Sequence, residues 1–544
     1  FLANGQDNVT NFQIPLWLMV LCSAVMALGT SIGGYRIIKA VGTNAEIRAM
    51  APAGCEEIDA EGRTVIPGFN DSHQHLYNVG ESLRMIKLHE VPSLAEMIER
   101  GRRFIEENHV APGEIVLGRG WNQDFFTDTD RMPTREDLDK ISTEHPIICT
   151  RACGHVAVCN SMALEKAGID RNTPQPAGAS IDLDANGDPN GIVRESGALA
   201  MVLSIIPQKT VADYEKSIRT AMDYAESMGV TSVQTNDIKD KNYAEMWQAY
   251  ENVTHAGRSV RAYHQCCFTQ IDNFRAFLAD GYKTGHGDDL NRVGPLKLFV
   301  DGSLGARTAK LNAPYADDPT TTGITVMDQA YLDEICGIAA ANGMSVATHA
   351  IGDKAAEMIL EAYEKNMTDS TNPLRNGVIH CQITTPETLE RFKKNNILAQ
   401  VQPIFIHYDK NIVYDRVGEE LAKTSYAFKT LADMGVHVSY GTDSPVEDMN
   451  PYNNLYCAVT RMSLTGEGEP YLPEQGVDIY DAVDNYTKES AFVSFDENKK
   501  GRLMPGYLAD LVILDRNIFE VPSMEIKDVR PVATMIGGEI VYRA

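Results

Sequence analysis

The residues of this 544-residue chain best suited to chemistry are histidines and carboxylates standing where apolar runs end. The first such run is Val65-Ile66-Pro67-Gly68-Phe69-Asn70-Asp71-Ser72-His73-Gln74-His75. Side chains at i and i+2 of a strand share a face. His73 and His75 can therefore direct two imidazoles at one ion, and neutral imidazole is the commonest metal ligand. Taken alone, the pair fits two solvent-facing or core histidines equally well. Later runs repeat the pattern: Val-Ala-Thr ends in His349, Gly-Val-Ile in His380 and Tyr-Gly-Thr in Asp443. Four of the 13 histidines thus close apolar runs, where chance would scatter them.

This set suits one or two divalent ions such as Zn²⁺, which takes N and O ligands and keeps an open position for catalysis. An ion of this kind lets a water ionise near neutral pH and attack a carbonyl. Asp443 beside that water would be base for the attack and then acid for the leaving nitrogen. Lys297 sits inside the apolar run Pro-Leu-Lys-Leu-Phe-Val-Asp-Gly-Ser, and buried lysines are rare unless paired. Two readings stand: a lysine salt-bridged to Asp301 or another acid, or a lysine carboxylated by CO₂ whose carbamate oxygens bridge two metals.

The elements that must position these residues are legible as eight β-like runs: 64–75, 229–237, 260–267, 295–303, 344–352, 376–381, 396–404 and 437–445. Amphipathic helical patterns, such as 212–227, 327–342, 354–365 and 386–394, lie between several of them. Alternating strands and helices predict an α/β fold, and eight units predict a (β/α)₈ barrel over 64–500 with its active site at the C-terminal ends of the strands. One helix cannot fill the gap 76–228, so an inserted subdomain is expected there, with strand-like pieces at 114–117 and 146–150. Residues 1–63 and 501–544 are short, β-rich and turn-punctuated. Chain ends often lie close together, which predicts one small β-sandwich built from both termini.

Composition narrows the classes. The apolar share of 43% supports a large core. Lysine and arginine total 49 against 75 acidic residues, a net charge of −26, which excludes nucleic acid as an expected partner. None of the ten cysteines falls in a CxxC pair, so they read as reduced core residues of a cytoplasmic protein. The apolar stretch 14–28 is shorter than the roughly 18–20 residues that span a bilayer and lacks a preceding basic region. It reads as buried strands of the accessory β domain, with export or membrane association as the lesser alternative. No GxxxxGK[ST] or Rossmann fingerprint and no GxSxG elbow is present, which counts against nucleotide binding and serine hydrolysis.

Taken in order, Pro67-Gly68-Phe69-Asn70-Asp71-Ser72-His73-Gln74-His75, Asp301-Gly302-Ser303-Leu304-Gly305-Ala306-Arg307-Thr308-Ala309, His349-Ala350-Ile351-Gly352-Asp353, His380 and Gly441-Thr442-Asp443-Ser444-Pro445 resemble the amidohydrolase superfamily. Within it they are similar to the YtcJ-like branch, which includes N-substituted formamide deformylases. The C-terminal Leu503-Met504-Pro505-Gly506-Tyr507-Leu508-Ala509-Asp510-Leu511 resembles that family's return into its β-sandwich. The resemblance covers about residues 32–544. It implies a metal-dependent hydrolase of C–N bonds in non-peptide amides, with His73, His75, His349, His380 and Asp443 as ligands and Lys297 as the candidate bridge. Trp121, His155 and Asn160, in Gly118-Arg119-Gly120-Trp121-Asn122-Gln123 and Gly154-His155-Val156-Ala157-Val158-Cys159-Asn160, resemble family patterns that line the pocket. Arg307 could bind a carbonyl or carboxylate, or form a structural ion pair. His264 reads as a core histidine. The long apolar stretch at 14–28 departs from the short strand pair usual in the family.

The expected partner is a small-molecule amide, with a homodimer as the commonest assembly. Two other enzymatic readings use the same site: ring deamination, and ester or lactone hydrolysis. Mononuclear deaminases of the superfamily carry a glutamate three positions after the strand-five histidine, whereas Ala350, Ile351 and Gly352 follow His349. A non-catalytic barrel scaffold would be expected to have lost ligands.

Overall fold

A computed structural model describes residues 37–52, 55–257 and 259–544. The apolar stretch 14–28 lies outside the described residues. The chain divides into two compact units: Val79–Thr220, and the remainder, which carries the barrel.

The barrel strands are β1 (Phe69–Gln74), β2 (Val230–Thr235), β3 (Arg261–Cys267), β4 (Asn291–Phe299), β5 (Val346–Ala350), β6 (Gly377–His380), β7 (Leu398–Val401) and β8 (Val438–Tyr440). They form one sheet in the order β8-β7-β6-β5-β4-β3-β2-β1, and every neighbouring pair is parallel. Each of the eight runs read from the sequence overlaps one barrel strand, and the first, 64–75, also contains Val65–Pro67 of a separate sheet. Strands buried on both faces lose the alternation of half-exposed strands and read as near-continuous apolar segments. β4 starts four residues before the expected Pro295. Its pairing with β3 shifts register between His264 and Cys266, opposite Gly294-Pro295. Proline has no N–H to give to a ladder, so the strand continues through a local irregularity that resembles a strand start in sequence.

The ends β1 and β8 close the ring without a regular ladder. Asp443 N donates to His73 O at 2.8 Å and His75 N donates to Ser444 O at 2.8 Å. The buried Asp71 carboxylate fastens the seam. It accepts Thr442 Oγ1 at 2.6 Å, Thr442 N, His73 N and the Tyr486 hydroxyl. Gly441 permits this approach, since a Cβ there would lie 2.5 Å from His73 N. The result is that β1 and β8, which carry His73, His75 and Asp443, are hydrogen-bonded directly to each other.

Outside the barrel, Val65–Pro67 pairs antiparallel with Leu511–Leu514, which pairs with Pro531–Ile536, which pairs with Glu539–Arg543. Gly537 and Gly538, both at positive φ, make the two-residue turn of the last hairpin. The N-terminal side contributes one strand to this sheet. Upstream of it, 37–42 holds only an isolated bridge between Ile37 and Leu508, and Asn44–Met50 is a helix capped by Thr43.

The unit Val79–Thr220 contains its own six-stranded mixed sheet, ordered Ile86–Lys87, Val116–Trp121, Ile147–Arg151, Val156–Cys159, Pro189–Arg194, Ser180–Leu183. One apolar cluster forms around Leu88, Met97, Trp121 and Leu138, another around Ala163, Leu164, Val193 and Val202. Among the described residues no helix is long and apolar enough to cross a membrane.

Candidate metal centre

Three ligand atoms converge where β1 and β8 end. His73 Nε2 and His75 Nε2 each lie 3.3 Å from Asp443 Oδ1. Among the described residues these three form the one group whose ligand atoms all lie within 4.8 Å of one another. The tautomers follow from the other ring nitrogens. His73 Nδ1 lies 2.6 Å from Gln265 Oε1, and His75 Nδ1 lies 3.3 Å from the carbonyl of Asn236. Those partners can only accept, so each Nδ1 carries the proton and each Nε2 presents a lone pair. Burial, against the pull of Asp443, pushes His73 down to about 4, so its ring is neutral at pH 7. Asp443 Oδ1 is itself buried and meets no donor. Two imidazole lone pairs and a carboxylate oxygen thus face one point with no proton between them. The arrangement is repulsive as it stands and attractive around a cation. The donor set therefore fits a divalent metal.

His349 and His380 stand beside this group, their rings 4.5 Å apart, and His73 and His380 rings are 5.6 Å apart. His380 Nδ1 lies 2.7 Å from Gln402 Oε1, which leaves Nε2 as its ligand atom. His349 is held the other way round. Its Nε2 lies 3.0 Å from the Gly302 carbonyl, leaving Nδ1. His380 and Asp443 both adopt positive φ, 82° and 56°. Non-glycine residues rarely sit there, and such strain clusters at functional sites.

Lys297 is fully buried, its Nζ donating to Leu298 O at 3.3 Å and lying 3.8 Å from the Phe299 ring centroid. It makes no ion pair among the described residues. The salt bridge to Asp301 is absent because Asp301 is engaged elsewhere, accepting Ile351 N, Gly352 N and Lys310 N. Burial pushes the Lys297 amine down to about 7.

The four residues read as substrate contacts sit differently. Trp121 is buried, with its indole N–H on Cys149 O at 2.8 Å. Asn160 caps the helix Ser161–Lys166. Its oxygen accepts Ile147 N and Ala163 N, and its amide donates to Ser142 O and His145 O. His155 is exposed and lies 3.1 Å from Glu195. Arg307 forms a two-pronged ion pair with Asp317, which Arg416 also contacts. His264 is a core histidine, its Nε2 2.6 Å from Asn291 Oδ1. Sequence reasoning missed the supporting residues Asp71, Gln265 and Gln402. A signal existed, since each is a polar residue within or at the end of one of the β-like runs.

The amidohydrolase family pattern matches residues 56–542. The chain belongs to this family. YtcJ of Bacillus subtilis (strain 168) is 32% identical over 493 residues, 90% of each chain. N-substituted formamide deformylase of Arthrobacter pascens is 24% identical over 522 residues, 94% of each chain. Among solved structures, an uncharacterized metal-dependent hydrolase from Pyrococcus furiosus is 33% identical, with a TM-score of 0.72 over 90% of this chain and 95% of that one. Family membership makes the chain a hydrolase, and the His–His–Asp group is its candidate divalent-metal site.

Proposed function

We propose that the protein hydrolyses a non-peptide C–N bond, an N-formyl or N-acyl amide of a small molecule, in the cytoplasm. In this reading His73, His75, His349, His380 and Asp443 hold one or two divalent ions, with Zn²⁺ favoured by the N and O donors. The observation that carries it is the convergence of three lone-pair atoms on one buried point beside the His349–His380 pair. Similarity to the deformylase supports the choice of bond. The nine free cysteines among the described residues fit a reducing compartment.

When bound, the metal supplies Lewis acidity, polarising the carbonyl and easing ionisation of water. The chain's own residues handle the proton. His73 and His380 are kept neutral by burial, and their Nδ1 protons are committed to Gln265 and Gln402, which leaves Asp443 as the carrier. Its Oδ1 takes the proton of the attacking water and gives it to the leaving nitrogen. One carboxylate serves both steps, so no acyl-enzyme is needed. For Lys297 we favour the carbamate. Its neutral nitrogen bonds to the carbon of CO₂ and one N–H proton leaves, giving two oxygens able to bridge two ions. Deamination is disfavoured by geometry as well as sequence. A Cβ at Gly352 would lie 2.0 Å from Lys310 O, so no glutamate fits at that position.

The test is amine release from N-formyl and N-acetyl benzylamine by metal-loaded protein. Release that stops on chelation and returns with Zn²⁺ is expected. Metal-loaded protein that cleaves esters, lactones or ring amidines but releases no amine from any amide would sink the C–N assignment.

A further inference from the structure

β7 supplies no candidate ligand, yet it supports two of them from behind. Gln402, just past its end, accepts the Nδ1 proton of His380 through Oε1 at 2.7 Å. Gln400, two residues earlier and so on the same face, reaches the other way. Its Oε1 accepts Gln265 Nε2 at 3.2 Å. Gln265 stands on β3, four places from β7 in the eight-stranded sheet, so this bond crosses the barrel interior. Gln265 Oε1 in turn takes the Nδ1 proton of His73 at 2.6 Å. The two β7 amides are also tied to each other, Gln402 Nε2 donating to Gln400 O at 3.3 Å.

Barrel interiors are ordinarily filled by branched apolar side chains. Gln265 and Gln400 are 0% and 1% exposed, and a buried amide is costly unless its polar atoms find partners. Gln265 finds all of them. Its Nε2 has two protons to give: one goes to Ser72 O at 3.0 Å and the other to Gln400 Oε1. Turning the amide over would set its oxygen against two acceptors and its own N–H groups against the His73 Nδ1 proton. The amide therefore has one orientation, and that orientation leaves His73 Nε2 as a free lone pair. A Cβ at Gly377 of β6 would lie 3.0 Å from Gln400 Nε2, so the glycine on the neighbouring strand leaves room for the Gln400 side chain.

We propose that Gln400 is a positioning residue of the metal centre: it fixes the Gln265 amide so that His73 presents Nε2 to the ion, and with Gln402 it makes β7 the common support of His73 and His380. Gln400 acts on His73 through Gln265. The inference rests on the reading of His73 and His380 as ligands.

The experiment measures Zn²⁺ affinity by competition with a chromophoric chelator, and the visible absorption of Co²⁺-loaded protein, whose bands report ligand geometry. Gln400→Met keeps the length of the side chain and removes the acceptor. It should bind Zn²⁺ about tenfold more weakly, the lower end of the effect of removing a ligand's outer partner, and should shift the Co²⁺ bands. Gln265→Met should have at least that effect. Gln400→Met should then add little in the Gln265→Met background, because both act through one bond. Gln400→Glu keeps an oxygen for Gln265 Nε2 and should return the wild-type bands, a rescue that a role in packing alone would not give. Wild-type affinity and bands in Gln400→Met, or effects of the two Met variants that add in full, would overturn the proposal and leave the ligands in place. If Gln400→Met does not fold, altered bands in folded Gln400→Glu would overturn it. Wild type that binds neither ion would overturn the ligand reading and this inference with it.

Discussion

In the unit Val79–Thr220, Asp137 is buried and well supplied. Arg131, Thr134 and Lys140 all donate to its carboxylate, and Asn160 in the same unit makes four hydrogen bonds. In the barrel, Asp443 is also buried, yet its Oδ1 has no donor and faces two imidazole lone pairs. Both regions use carboxylates and amides at low exposure. They differ in unmet bonding capacity. Where every acceptor is satisfied, the side chain holds the fold. Where acceptors converge unsatisfied, the fold supports a site that something else must complete.

The comparison breaks most directly at the ligands. His73→Ala and His349→Ala should lose metal and activity while circular dichroism and the thermal transition stay near wild type. Either variant with full metal and full turnover refutes its assignment. Asp443→Asn should lower kcat by roughly 10²–10⁴-fold, the usual scale of general acid–base catalysis, without loss of folding stability. Lys297→Ala should bind less metal and recover part of its activity when formate or acetate is added. One bound metal and no recovery would make the lysine structural.

The smallest expected effect lies in the other region. Asp137→Asn should reduce unfolding free energy by about 1–3 kcal/mol in urea titrations, from weakened charge-assisted hydrogen bonds, and leave kcat of folded protein unchanged. Its pH dependence has a definite sign. Burial would raise the Asp137 carboxyl, but Arg131, Thr134 and Lys140 hold it below its ordinary value. Its contribution is therefore present above the ordinary value near 3.9 and is lost as pH falls through the lower folded value. Wild type should lose stability over that acidic window more steeply than Asp137→Asn. Equal slopes would remove Asp137 from the structural side of the comparison.

The eight barrel strands were legible because parallel strands buried on both faces leave unbroken apolar runs. The start of β4 was hidden by Pro295, which ends a pattern without ending the strand. The strand-end positions of His73, His75, His349, His380 and Asp443 were legible for the same reason as the strands. What local sequence could not show was which acceptor meets each imidazole. Gln265 reaches His73 across the barrel from β3, and that pairing depends on register between strands. Nor could spacing distinguish Asn160 as a helix cap from Asn160 as a substrate contact, since an amide suits both.

The most direct test of the central claim is metal per chain, measured by inductively coupled plasma mass spectrometry on protein purified without chelator or metal-affinity resin. The converging lone pairs predict at least one tightly held equivalent, and about two if Lys297 carries a bridging carbamate. A value near zero that Zn²⁺, Mn²⁺ and Fe²⁺ all fail to restore would contradict the account.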